Sequence, residues 1–107
     1  MNKSTSQILQ EARALVAQGW CQGPYIREEF GQNCYCAMGA VYAAAGEDPY
    51  GLDHPPLLGL LEDQLDAAAQ QITGNPNINA VGYNEHLGRT REEVLALFDR
   101  ALVEVTK

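Results

Sequence analysis

Apolar residues recur along this chain at helical spacing in four stretches, separated by clusters of Gly, Pro and Asn. Between about Ser6 and Gln18, the residues Ile8, Leu9, Ala12, Leu15 and Val16 share one face. Ser4 and Gln7 stand at the spacing of a capping box, in which a hydroxyl and an amide satisfy free N–H groups at a helix start. Gly19 follows and predicts a left-handed C-cap, with Trp20 folding back on the last turn. A second helix is predicted over Cys34 to Ala45, with Asn33 as N-cap and Gly46 as the stop. Cys36, Gly39, Ala40, Ala43 and Ala44 give it a small-residue stripe, and it is apolar nearly all round, as a central helix should be.

The third helix is predicted over Pro56 to Thr73, with Leu58, Leu61, Leu65, Ala68, Ala69 and Ile72 inward, and ends at Gly74-Asn75-Pro76. The last begins at a Thr90/Glu93 capping box and carries Val94, Leu97, Phe98, Ala101, Leu102 and Val105. Residues 77–89 read as a connector anchored by Ile78 and Val81, and residues 20–33 as irregular, with a short strand as the alternative. No stretch alternates strictly. The expected fold is therefore all-α, a compact bundle of about four helices in a single domain over residues 1–107.

Charge and composition narrow the function classes. Fourteen acidic residues against seven basic give a net charge of -7. Without clustered cations a nucleic-acid backbone is not an expected partner. No apolar run approaches the roughly 20 residues of a membrane span. The polar start, Met1 to Ser6, does not resemble a secretory signal, so a cytoplasmic setting is expected. Three cysteines, Cys21, Cys34 and Cys36, form no even framework and fit reduced thiols, while spacing leaves a Cys21–Cys34 or Cys21–Cys36 disulfide open.

Three pieces in order now suggest a family: Gly19-Trp20-Cys21-Gln22-Gly23, then Cys36-Ala37-Met38-Gly39-Ala40, then Gly82-Tyr83-Asn84-Glu85 before Gly88-Arg89-Thr90 and the final helix. The set resembles an uncharacterised small helical family of actinobacteria and their tailed phages, whose members carry Trp-Cys-Gln-Gly, Cys-Ala-x-Gly-Ala and Trp-Asn-Asp-like motifs. Here Tyr83-Asn84-Glu85 stands in place of Trp-Asn-Asp. The resemblance implies a bacterial or phage cytoplasmic setting and brings no activity, cofactor or partner.

Candidate chemistry gathers at a few side chains. A thiol at a helix start has its thiolate stabilised by free N–H groups, so Cys36 with His86 and Asn84 supplies the parts of a Cys–His–Asn hydrolase. Against that, Cys36 lies on the small-residue stripe, where a cysteine serves as a small hydrophobe. Cys21, Cys34, Cys36, His54 and His86 are the available metal ligands, but a Cys-x-Cys spacing is not that of a structural zinc site, so no metal and no cofactor is expected. Trp20, Gln22, Asn84, Glu85 and His86 form the expected binding set if a small polar ligand sits between the two loops. The competing reading makes Trp20 a core plug with a bonded indole, Gln22 a tie to the Asn84 turn, and Asn84 a partner for backbone groups. Packing features outnumber convergent titratable groups. The favoured expectation is thus a small acidic binding protein whose partner is another protein or itself, with a cysteine hydrolase or a metabolite-binding protein as the alternatives.

Overall fold

The computed structural model describes residues 3–105. The capping box at Ser4 and Gln7 forms, and it starts α1 (Thr5–Gln18), which buries Ile8, Leu9, Ala12 and Val16. Gly19 departs from expectation. Its backbone is extended, at φ -166° and ψ 108°, so it is no left-handed cap. Close approach explains it instead: a Cβ there would lie 2.7 Å from the Asn33 carbonyl oxygen.

That approach belongs to a small antiparallel hairpin, β1 (Ile26–Glu29) and β2 (Gln32–Tyr35), which corrects the all-α expectation. Residues 19–21 lie along its inner edge in a parallel bridge between Trp20 and Tyr35, with Tyr35 N–H donating to Gly19 O at 2.9 Å and Cys21 N–H to Tyr35 O at 3.1 Å. Residues 34 and 35 are therefore strand, and the second helix starts later than predicted.

That helix is α2 (Ala37–Ala45). Its N-cap is Cys36 rather than Asn33, with Gly39 N–H donating to the Cys36 Sγ at 3.3 Å. Gly46 closes it in the left-handed conformation, at φ 76°. Six of its residues, Ala37 to Val41 and Ala44, are buried, as the apolar-all-round pattern implies. Next come α3 (Pro56–Thr73), with the predicted bounds, and α4 (Ala80–Glu85). The latter lies inside the predicted connector, so the described chain has five helices, not four. Asn79 caps α4, accepting from Gly82 N–H at 2.7 Å.

The last helix is α5 (Arg91–Val105). Its Thr90/Glu93 box forms in both directions, at 2.9 and 3.2 Å. The core joins α1, α2, α3 and α5 through Leu9, Val16, Val41, Leu61, Leu65, Leu97 and Phe98, with Tyr83 from α4. Ile78 packs against it, whereas Ile72 and Val81 are exposed and anchor nothing.

Several cations answer to helix C-termini, where carbonyls lack partners. Lys3 Nζ donates to Ala44 O at the end of α2 at 2.7 Å, Arg89 Nε to Tyr83 O near the end of α4 at 2.7 Å, and Arg91 Nη1 to Ala17 O at the end of α1 at 3.2 Å. Arg89 and Arg91 stand at the start of α5, where the dipole does not favour a cation, and the carbonyls they serve belong to other helices.

Candidate functional site

The candidate residues converge on the place where the 19–25 loop, the start of α2 and the end of α4 meet. At its centre is Asn84, 1% exposed and the only buried polar or charged side chain among the described residues. Its Oδ1 accepts from the Trp20 indole N–H at 2.8 Å and from Ala37 N–H at 3.0 Å. The second of these bonds satisfies a first-turn donor of α2, the capping role that a side chain from the preceding residues usually fills. Its Nδ2 donates to Cys21 O at 3.3 Å and to Glu85 Oε2 at 2.7 Å. An amide has two donors and two acceptor lone pairs, so Asn84 is saturated.

The neighbours are committed too. Gln22 Nε2 donates to Asn84 O and His86 O, both at 2.9 Å. The other carboxylate oxygen of Glu85 accepts from Gly23 N–H at 2.7 Å. Trp20, Gln22, Asn84 and Glu85 are thus brought together as a clasp between chain segments more than sixty residues apart. His86 joins through its backbone. Its carbonyl also receives Arg89 N–H at 3.0 Å, while the residue itself is exposed. Beside the clasp, Tyr83 is buried, donates from its hydroxyl to Glu93 O at 2.9 Å, and carries the Arg89 guanidinium 3.8 Å above its ring.

Cys36 lies beneath the clasp and is 6% exposed. Burial pushes its thiol above the ordinary range, against the lowering effect of the Gly39 and Met38 N–H groups. Its charged neighbour is Glu85, which raises it further. Among the described residues no hydrogen bond joins this thiol to the His86 ring. Burial therefore outweighs the helix start, which is the reverse of what an activated nucleophile needs.

The remaining metal-ligand candidates are dispersed. His54 lies in the 47–55 loop, its Nε2 at 2.8 Å from Asp48 O and its ring 4.8 Å from that of Tyr42. Among the described residues no group of three or more His, Cys, Asp or Glu side chains is placed to hold a metal ion. None of the described helices is long and apolar enough to cross a membrane.

The hairpin tip lies outside these motifs. Phe30 and Gly31 form its two-residue turn, both with positive φ, at 52° and 80°, and Phe30 is fully exposed. Such turns take Asn-Gly or Asp-Gly, because the left-handed conformation is costly for a residue with a large side chain. A Phe-Gly pair between two short polar runs carries no ordinary hairpin signal, so neither the turn nor its display of an aromatic ring was legible.

A small fold of five helices and one hairpin, held by a buried asparagine clasp, is the class of protein these observations define. The chain belongs to a family of unknown function (DUF6197), whose profile spans residues 1–104. Comparisons with curated proteins and with solved structures gave no match.

Proposed function

We propose that this protein is a non-enzymatic interaction module that offers its hairpin tip to a protein partner. The observation that carries this reading is Phe30, whose side chain is 103% exposed at a backbone φ of 52°. Holding a non-glycine residue there costs about 1–2 kcal/mol, and the ring recovers none of it by packing within the described chain. A large aromatic anchor on a narrow projection is what a partner's pocket takes up. Glu28 and Glu29 precede it, with Glu29 paired to Arg27 at 2.7 Å. The complementary surface is an apolar slot rimmed by cationic groups. A second copy of the chain fits less well, because each copy carries a net charge of -7.

Of the expected binding set, Trp20, Gln22, Asn84 and Glu85 support the same reading by being spent inside the fold. Together with the buried Cys36 thiol they leave little for catalysis. The motif resemblance adds a setting, the cytoplasm of actinobacteria or of cells infected by their phages, where an acidic accessory protein would modulate a host component.

Phe30→Asn tests the proposal, since Asn tolerates the left-handed conformation and removes the anchor. The variant should be more stable than the wild type by about 0.5–1 kcal/mol and should lose a partner that a photo-crosslinker placed beside the tip captures from host lysate. A variant that keeps every such partner, or a wild-type chain that only dimerises through this tip in light scattering, overturns the reading.

A further inference from the structure

We propose that Cys21 and Cys34 are a redox pair that closes reversibly to an intramolecular disulfide across the inner edge of the hairpin. Residues 19–21 lie flush against β2, and the missing side chain of Gly19 is what allows it: a Cβ there would be 3.3 Å from the Cys34 Cα and 3.5 Å from its Cβ. Cys21 N–H donates to the carbonyl of Tyr35, the residue next to Cys34. Both thiols are free, at 4% and 9% exposure, and Cys34 is a near enough neighbour to help raise Cys21.

Cys34 is the more exposed of the two thiols, at 9% against 4%, and takes the part of first attacker. Its register partner across the hairpin is Arg27, which is exposed. Cys21 takes the other part. Burial, the largest cause, and the neighbouring Cys34 push it up to about 12, so it stays protonated until its partner has reacted. The third thiol is committed elsewhere, since the Cys36 sulfur accepts from Gly39 N–H as the cap of α2.

The oxidant is a low-molecular-weight disulfide. The Cys34 thiolate attacks one of its sulfurs, forming a mixed disulfide and expelling one thiolate. That thiolate takes the Cys21 proton. The Cys21 sulfur then attacks that of Cys34 and expels the second thiolate, which takes up the proton Cys34 had released. Two protein thiols and one small disulfide become one protein disulfide and two small thiols, and the two electrons pass to the reagent. The closed bond fixes residues 19–21 on β2 and encloses β1 and the hairpin tip in one covalent ring.

The test is incubation of the folded full-length chain with excess oxidised glutathione, followed by thiol counting and peptide mapping. We expect two of the three thiols to be lost, the mass to fall by two hydrogens, a single Cys21–Cys34 linkage, full recovery with dithiothreitol, and a Tm at least about 5 °C higher in the oxidised form. Cys36→Ala should behave identically, and Cys21→Ala should stop at the mixed disulfide on Cys34. Linkage through Cys36, glutathione retained on Cys34 of the wild type, or linkage between chains would overturn the proposal. So would a folded chain that stays fully reduced under conditions that oxidise it once unfolded.

Discussion

Replacing Asn84 by Ala removes four hydrogen bonds at once, and the structure says what each loss costs. Ala37 N–H and Cys21 O, in residues 0% and 4% exposed, are left buried without partners. Each such group costs about 1–3 kcal/mol. The Trp20 indole is half-buried and recovers water, and Glu85 at the surface recovers it fully. The cavity left by the amide adds about 1 kcal/mol. The sum is a loss of about 3–7 kcal/mol, a large part of the total stability of a domain this size. In urea, with a slope of about 1–1.5 kcal/mol per M, the midpoint should fall by about 2–7 M. Trp20→Phe is the milder companion. It withdraws one donor while Asn84 Oδ1 keeps Ala37 N–H, and it should cost about 1 kcal/mol beyond any change in packing. Combining the two should give a total well short of the sum, because both act on one bond. If Asn84→Ala costs less than about 1 kcal/mol at unchanged slope, Asn84 does not hold the fold, and a ligand-binding role for it returns.

Gly39→Ala should be strongly destabilising, by about 2–3 kcal/mol or more, since a Cβ there overlaps the Tyr25 carbonyl oxygen, which itself accepts Cys36 N–H; calorimetry showing a Tm equal to wild type would refute this packing. Glu62→Gln should raise the Tm at neutral pH but not near about pH 3. Desolvation first, then Asp66 and Asp63, raise the Glu62 carboxyl above its unfolded value, so its contribution is intact below the ordinary carboxylate range and is lost as pH rises through the raised value. A gain of the same size at both pH values would contradict that cause.

What could be read from the residues alone follows physical lines. The third helix was legible to the residue because a proline opens it, a leucine stripe runs through it and Gly74 stops it in the left-handed conformation, at φ 72°. The hairpin was legible only in part: a short strand stood as the alternative for residues 20–33, where β1 falls, but its pairing with β2 did not show. Ile-Arg-Glu-Glu and Gln-Asn-Cys-Tyr are mostly exposed, so they show no alternation, and the apolar end of β2 runs straight into α2 and borrows its periodicity. With six residues including a glycine, α4 offered only Asn79 as a start signal. At the clasp, the bonded indole of Trp20 and the tie from Gln22 to the Asn84 turn were both foreseeable from residue chemistry. The bond from Ala37 N–H to Asn84, across 47 positions, was not, because no local rule connects them. Cys36 was legible both as a residue at the start of a helix and, from its small-residue stripe, as a small hydrophobe, and its burial decides its reactivity.

Hydrogen exchange at the Trp20 indole and the Asn84 side-chain amide, followed by NMR on the folded chain, tests most directly whether these groups are spent within the fold. Both protons should exchange far more slowly than in a free peptide, and together, through an opening that also releases Ala37 N–H. Fast exchange of the indole and amide while Ala37 N–H stays protected would contradict the account and show them open to a ligand.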